Sequence, residues 1–308
     1  MIELRNVWKS YDSLVAVKDF SLKIEKSQTV GLIGPNGSGK TTLMRMIATL
    51  AKPDHGSINV CGVDALTDPR TVRRKIAFMP SEYGFPMDMT IREYIEYFAC
   101  VFDIDRNRRS EVINDVLMLT DLKDREGVIV RGLSTGNRQR LLLAKTLLPE
   151  AELLILDEPA AGLDPGARAE VRGILDELSR MGRSILISSH ILADLDEICD
   201  EVCIIEQGKL VLHNEINVLR RQFGGDGLRI KLKLHSGDLA AARTILEGFD
   251  AVTSVEAVGE HLDFIGTDEN CNAILQKLIA ADIEILELSR RRPDLESIYI
   301  HAVQGLVT

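Results

Sequence analysis

A glycine-rich segment near the start of the chain has the composition and spacing of a phosphate-binding loop. The segment GPNGSGKTT follows the apolar run TVGLI and leads into the helical pattern TTLMRMIATL. Glycines let consecutive backbone N–H groups point inward, and the next helix directs its positive end at the same anion. Lys40 adds a full charge, and the Thr41 hydroxyl suits Mg²⁺. The segment predicts an ATP site at Gly34, Pro35, Asn36, Gly37, Ser38, Gly39, Lys40, Thr41 and Thr42.

Two adjacent carboxylates end a second apolar run. In LLILDEP, Asp157 closes the run and Glu158 follows it directly. In a parallel sheet, ligand chemistry gathers at the carboxyl ends of strands, so both side chains should face the phosphates. We expect Asp157 to hold Mg²⁺ through its water shell and Glu158 to polarise an attacking water as a general base. Two acids can also simply end a strand, but the phosphate-binding loop favours the catalytic interpretation.

A histidine ends a third apolar run, ILISSH. A single histidine is more often structural or solvent-facing than functional. At the end of a core strand in a nucleotide-binding sheet, however, His190 becomes a candidate to contact the γ-phosphate.

The elements around these residues alternate between buried strands and amphipathic helices. The runs at 153–156 and 185–187 are short and fully apolar, which is typical of strands buried on both faces. Between them, residues 166–182 place apolar side chains at helical spacing. This alternation predicts an α/β fold with helices on the faces of a parallel sheet. Strands and turns dominate before residue 63, and helices dominate up to Pro149.

The character of the chain changes at the segment RRQFGGDG, residues 220–227. The strand pattern LRIKLKLH follows, and a strand–helix–strand–strand–helix–strand order extends to residue 288, with a tail helix at 294–302. This order predicts a small α+β domain of the ferredoxin-like type. We place the domains at 1–220 and 228–308 and interpret the second as an accessory or dimerisation module, because it holds no recognisable constellation of chemical groups.

Composition narrows the class of protein. The 308 residues carry a net charge of −10, which speaks against broad binding to nucleic acid. No apolar run approaches the roughly 20 residues that span a bilayer, and the first ten residues lack the apolar core of a signal peptide. Five scattered cysteines without a C-x-x-C pair suit reduced thiols. We therefore expect a cytoplasmic protein.

The phosphate-binding loop, LSTGN, LLILDEP and the strand-end histidine occur in the order seen in the ATP-binding subunits of ABC transporters, which the chain resembles over residues 1–220. The resemblance implies a P-loop NTPase fold with a RecA-like core, an N-terminal antiparallel β region and an α-helical subdomain at 80–150. It also implies an ATPase that uses Mg²⁺.

LSTGN stands where this family carries its signature LSGGQ, which caps the γ-phosphate bound by the opposite subunit. The resemblance therefore assigns contacts across a dimer interface to Ser134, Thr135, Gly136 and Asn137. It further matches Tyr11 and Val17 with the residues that contact adenine. Gly162 and Asp164, in the loop 161–164, match the positions that communicate between subunits.

The chain departs from the family pattern at three positions. Thr135 replaces a glycine and Asn137 a glutamine of the signature, although both can still form hydrogen bonds. Ser81 stands where the family usually has a glutamine that reaches Mg²⁺ and reports the nucleotide state to the transmembrane subunit. A serine is shorter and would need a bridging water.

The resemblance implies a separately encoded transmembrane permease, and helices in the 85–105 region would pass motion to it. We expect a homodimer at the cytoplasmic face of the membrane that powers export, and no nucleic-acid partner. One alternative is a soluble ABC ATPase that acts on ribosomes or DNA, which the single phosphate-binding loop and the absence of a long heptad run disfavour. Another is a regulatory nucleotide-binding module with little turnover, which Ser81 and the altered signature favour.

Overall fold

The computed structural model describes residues 1–224, 228–235, 238–250, 252, 254–259, 261–266, 271–291 and 294–304. The chain divides into two compact units, Met1–Asn214 and Glu215–Thr308. Within the described residues, no helix combines the length and the apolar character that crossing a bilayer requires.

An antiparallel sheet begins the first unit. Its strand order is β2-β1-β4-β5, with β1 at Ile2–Tyr11, β2 at Leu14–Ile24, β4 at His55–Val60 and β5 at Val63–Asp64. Alternate side chains of β1 and β2, including Leu4 and Phe20, enter the main hydrophobic core. The pairing of β1 with β2 shifts register near Lys9, which changes the faces that the following residues occupy.

A six-stranded sheet forms the centre of the first unit, in the order β10-β9-β3-β8-β7-β6. Every residue of β3, β7 and β8 is buried, which explains their uninterrupted apolar runs. Because β3, β8 and β7 are parallel neighbours, their carboxyl ends meet at one edge of the sheet. The strands are β3 at Thr29–Ile33, β6 at Ile76–Met79, β7 at Leu153–Asp157, β8 at Ser184–Ser188, β9 at Glu201–Glu206 and β10 at Lys209–Glu215.

Seven α-helices belong to the first unit in the described residues. They are α1 at Lys40–Ile47, α2 at Pro69–Lys75, α3 at Ile91–Val101, α4 at Arg109–Leu119, α5 at Thr135–Leu147, α6 at Pro165–Arg180 and α7 at Leu192–Ile198. Three of them, α3, α4 and α5, come between β6 and β7 in the chain and pack on one another. Helix α3 starts with a capping box in which Thr90 and Glu93 satisfy each other's backbone N–H groups.

An aromatic cluster connects the segment after β6 to α3 and α5. The rings of Tyr83, Phe85, Tyr94 and Phe98 follow one another at centroid distances between 4.9 and 5.6 Å. The ammonium group of Lys145, on α5, lies 4.1 Å from the ring centroid of Tyr83 and 4.8 Å from that of Phe98. The cluster therefore ties α5 to the segment that carries Ser81.

The second unit is an α+β sandwich. Its antiparallel sheet has the order β12-β13-β11-β14, and α9 and α10 pack together beside it around Ile230, Leu246 and Phe264. The elements are α8 at Ile216–Gly224, β11 at Leu228–Leu234, α9 at Leu239–Glu247, β12 at Ser254–Val258, β13 at His261–Gly266, α10 at Cys271–Ala280, β14 at Ile285–Arg291 and α11 at Leu295–Gln304. The strand and helix order matches the ferredoxin-like prediction.

The first unit ends just before α8, and α8 packs against α11 within the second unit. Residues 225–227 of the predicted link lie outside the described residues, as do residues 269 and 270 at the start of the predicted second helix of this unit.

Candidate nucleotide-binding site

The loop between β3 and α1 depends on its glycines. Gly37 and Gly39 have φ angles of 80° and 107°, in the left-handed region that favours glycine. A Cβ atom on Gly39 would lie 2.3 Å from the carbonyl oxygen of Ala16, whereas one on Gly37 would meet open space. A Cβ on Gly34 would lie 2.2 Å from the carbonyl oxygen of Ile205. The loop therefore packs tightly against β2 and β9 and leaves its tip open to the cleft.

Lys40 begins α1 and is only 7% exposed. Its Nζ atom donates to the carbonyl oxygens of Gly34, at 2.6 Å, and Pro35, at 3.1 Å. Burial lowers the pKa of this ammonium group, and the charges of Glu158 and Asp157 act in the opposite direction. A phosphate group would supply the same kind of compensating charge, so the site is chemically prepared for an anion.

The two carboxylates lie side by side at the end of β7. Asp157 is fully buried, and its Oδ1 atom accepts a hydrogen bond of 2.7 Å from the hydroxyl of Ser188 on β8. The Oδ2 atom is also buried and has no hydrogen-bond partner among the described residues. An unpaired buried carboxylate oxygen is costly, so a ligand for it is expected.

Glu158 adopts a left-handed backbone conformation, with a φ of 53°. Its N–H group donates to the carbonyl and hydroxyl oxygens of Ser188, at 3.2 and 3.0 Å. This turn brings Oε2 of Glu158 to 2.6 Å from Nδ1 of His190. The structure thus joins two residues that the sequence analysis selected separately.

These groups line a cleft of about 510 Å³, and this volume is within the ordinary range for ligand sites. The predicted residues that line it are Tyr11, Asn36, Gly37, Gly39, Lys40, Thr41, Thr42, Ser81, Asp157, Glu158 and His190. Gly34 and Pro35 contribute the carbonyl groups that hold Lys40, and Ser38 is buried within the loop. Val17 is fully buried, and its neighbours Leu14 and Ala16 line the cleft instead.

The signature residues lie outside this cleft. Ser134 caps the N-terminus of α5, and its hydroxyl accepts from the N–H group of Asn137 at 3.3 Å. Ser134 and Thr135 are exposed, and Gly136 and Asn137 are half-buried. Within one chain, the structure therefore does not bring these four residues to the phosphate-binding loop.

The loop between β7 and α6 contains the two predicted inter-subunit positions. Gly162 has a φ of 71°, and Asp164 caps α6 by accepting from the N–H groups of Gly166 and Ala167 at 3.0 and 3.1 Å. Helix α6 begins three residues after Gly162, so this loop directly joins the Glu158 turn to a helix.

Ser188 is the residue that the sequence analysis missed. It is fully buried and contacts both Asp157 and Glu158. Its position at the end of the run ILIS, in register with Asp157, is visible only once the strand order is known.

Comparisons with known proteins agree with this arrangement. The family model described as ABC transporter matches residues 17–161. The daunorubicin resistance ATP-binding protein DrrA3 of Streptomyces coeruleorubidus is 32% identical over 295 residues, covering 95% of this chain and 92% of the relative. The Nod factor export ATP-binding protein I of Sinorhizobium fredii is 33% identical, covering 97% and 84%.

Solved structures show the same fold. An ATP-binding subunit of an ABC transporter superposes with a TM-score of 0.66 at 28% identity, covering 73% of this chain and 93% of the other. A dimeric bacterial ABC transporter cassette superposes with a TM-score of 0.64 at 23% identity, covering 70% and 99%. The chain belongs to the ATP-binding subunits of ABC transporters and is an ATPase.

Proposed function

We propose that this subunit hydrolyses Mg²⁺-bound ATP between its own cleft and the signature of a second copy, and thereby powers export through a separately encoded permease. One observation carries the proposal. Lys40, Asp157, Glu158 and His190 meet in one cleft, while the signature serine is exposed outside it. A nucleotide bound in this cleft needs a second chain to bring a signature to its γ-phosphate.

The proposed hydrolysis assigns one task to each polar group. Lys40 balances the charge of the β- and γ-phosphates. Glu158 accepts a proton from the attacking water. His190 holds the Glu158 carboxylate through the 2.6 Å contact and presents its other ring nitrogen to the γ-phosphate. The exposed ring of Tyr11 stacks on the adenine base.

The residues of the cleft also fit a magnesium ion. Thr41 offers a hydroxyl, Asp157 has an unpartnered buried carboxylate oxygen, and both line the same cleft as Ser81. Oxygen ligands of this kind are those that Mg²⁺ prefers. The ion would neutralise charge on the phosphate oxygens. We assign Thr41 and Asp157 to hold it, and Ser81 to contact it through water.

Two copies of the chain complete two sites. The N-terminus of α5 offers backbone N–H groups and a positive dipole end, a suitable partner for the γ-phosphate of the facing copy. Ser134, Thr135, Gly136 and Asn137 form that end, and the loop holding Gly162 and Asp164 reports closure between copies. Bound ATP holds the two copies together because its γ-phosphate contacts both of them, and hydrolysis removes this contact so that the copies separate. This homodimer would sit at the cytoplasmic face of the membrane.

A second cleft of the first unit supports a permease partner. It has a volume of about 770 Å³ and lies between the end of α3, the segment after α1 and the strand β6. Its rim exposes Leu50 and Val101, at 59% and 56%, and carries charges of both signs: the arginines at 73, 74 and 108, and the acidic residues at 103, 105 and 150. We assign this groove to a short amphipathic helix from a cytoplasmic loop of the permease, whose apolar side chains would enter the groove.

Export is favoured over import by the names of the relatives, which refer to daunorubicin resistance and Nod factor export. The same names favour a transporter subunit over a soluble ATPase of ribosomes or DNA. The permease would choose the cargo. Purification of the chain from detergent-solubilised membranes should therefore recover a protein with several membrane spans, and recovery of ribosomes or DNA instead would contradict the proposal.

The test of the proposed hydrolysis is the Mg²⁺-dependent ATPase rate of the subunit purified with its permease. We expect phosphate release that disappears in Lys40→Ala and on addition of EDTA. A rate equal to that of Lys40→Ala would support a regulatory module with negligible turnover.

A further inference from the structure

Ser188 occupies the middle of the catalytic edge of the sheet. It is the last residue of β8, and its Cα atom pairs with Leu32 on β3 and with Asp157 on β7. The side chain is fully buried. Ser188 therefore lies between the strand that leads into the phosphate-binding loop and the strand that carries both carboxylates.

The hydroxyl of Ser188 has a defined direction. A serine hydroxyl has one donor and two acceptor positions. The N–H group of Glu158 can only donate, so at 3.0 Å it uses an acceptor position of Ser188 Oγ. The hydroxyl of Ser188 therefore donates its proton to Oδ1 of Asp157, and the two oxygen atoms lie 2.7 Å apart. One side chain thus connects the two neighbouring carboxylate residues.

Each of these two hydrogen bonds constrains a different part of the site. The bond to Oδ1 fixes the rotation of the Asp157 carboxylate and leaves Oδ2, buried and without a partner among the described residues, as the oxygen open to a ligand. The N–H group of Glu158 donates to the Ser188 hydroxyl at 3.0 Å and to the Ser188 carbonyl oxygen at 3.2 Å. Both bonds support a left-handed backbone with φ at 53°, which a residue with a side chain adopts only at a cost. That backbone turn directs Glu158 to His190.

We propose that Ser188 is a positioning residue for ATP hydrolysis, which sets the Asp157 carboxylate for Mg²⁺ and the Glu158 turn for its role as a base. The inference rests on the Mg²⁺ site of the proposed function. Among the described residues, the hydroxyl of the next residue, Ser189, bonds the backbone of Ile191 and neither carboxylate, so the two serines are not equivalent.

A purely structural role for Ser188 is the competing explanation, and β8 offers a matched control. Ser184 begins the same strand, is 1% exposed, and accepts a 2.8 Å hydrogen bond from the N–H group of Ser27. Ser184→Ala therefore removes a buried serine hydrogen bond of similar geometry from the opposite end of the strand, away from the cleft. A loss that reflects strand packing alone should appear in both variants.

The experiment compares Ser188→Ala with Ser184→Ala and the unchanged protein as full-length chains. The probe is a fluorescent ATP analogue, titrated in EDTA and over a series of Mg²⁺ concentrations. In EDTA, Ser188→Ala should bind the analogue with an affinity within about twofold of that of the unchanged protein. The Mg²⁺ concentration that gives half-maximal enhancement of binding should rise about tenfold, because the variant loses one hydrogen bond to a charged group. With the permease present, kcat should fall by about tenfold or more while KM changes little.

Ser184→Ala should keep the Mg²⁺ dependence and kcat of the unchanged protein even where its thermal midpoint falls. If Ser188→Ala fails to fold, Ser188→Cys keeps a side chain of similar size with a weaker hydrogen-bond donor. It should show a smaller rise in the Mg²⁺ concentration for half-maximal enhancement of binding. An unchanged Mg²⁺ dependence and kcat in the folded variant would overturn the role of Ser188. Failure of the unchanged protein to respond to Mg²⁺ would instead overturn the proposed Mg²⁺ site.

Discussion

Nδ1 of His190 lies 2.6 Å from Oε2 of Glu158, and the N–H group of His190 lies 3.3 Å from the same oxygen. The carboxylate is 16% exposed and the imidazole 55%. The histidine therefore holds the carboxylate from the solvent side of the cleft. Because β7 and β8 are adjacent and parallel, this pair arises directly from the strand order.

Removing this contact should slow hydrolysis. We expect His190→Ala to lower kcat by about 10- to 100-fold, since a hydrogen bond to a charged group contributes about 1.5–3 kcal/mol. His213→Ala is the matched control, because Nε2 of His213 lies 2.8 Å from Oε2 of Glu201, in a contact whose residues do not line the cleft. Phosphate release under saturating ATP measures both. Equal losses of kcat in the two variants would contradict a catalytic role of His190.

The phosphate-binding loop should tolerate alanine at one glycine better than at another. Gly37→Ala and Gly39→Ala both introduce a side chain at a positive φ, which costs about 1–3 kcal/mol. Only Gly39→Ala also places Cβ 2.3 Å from the carbonyl oxygen of Ala16. We expect urea unfolding and ATP binding to show the larger loss in Gly39→Ala. Identical losses would show that the close approach to β2 is unimportant.

The contacts of the Lys145 ammonium group with the rings of Tyr83 and Phe98 should stabilise the first unit. Lys145→Met keeps an apolar side chain of similar length and removes the cation from two rings, so we expect a loss of about 1–2 kcal/mol in the free energy of unfolding. Tyr83→Leu combined with Lys145→Met should then lose less than the sum of the single variants. Additive losses in urea unfolding would show that the cation and the ring do not interact.

The capping box of α3 predicts a pH dependence. The N–H group of Thr90 donates to Glu93 and lowers the pKa of that carboxyl below 4.5. A lowered folded-state pKa contributes stability above the unfolded pKa, and this stability is lost as the pH falls through the folded value. The stability difference between the unchanged protein and Glu93→Gln should shrink as the pH falls below 4.5. Urea unfolding across this range measures it, and a pH-independent difference would contradict the assignment.

Much of the site could be predicted because its residues are local in sequence. The phosphate-binding loop is a contiguous segment, and the runs 153–156 and 185–187 in the strands that lead to Asp157 and His190 are apolar because these strands are buried on both faces. The α/β fold and the ferredoxin-like unit follow from such runs and from the order of elements, and the P-loop NTPase fold follows from the resemblance to the ABC family.

The remaining features depend on contacts between distant segments. Ser188 gains its partners only from the register of β8 with β7. Ala16 lines the cleft while Val17 lies in the main hydrophobic core, and which face of β2 meets the cleft depends on how the strand pairs with β1. Helix α8 joins the second unit because α11, far along the chain, packs against it. Periodicity within one segment contains none of this information.

We propose that ATP is bound between two copies of the chain and cleaved with the help of Glu158. Light scattering of Glu158→Gln tests it most directly, because this variant should bind ATP but lose its general base, with turnover reduced by about 10²–10⁴-fold. We predict the mass of a dimer in ATP and of a monomer in ADP, and a monomer in ATP when Lys40→Ala is added. A Glu158→Gln subunit that binds ATP and stays monomeric would contradict the account.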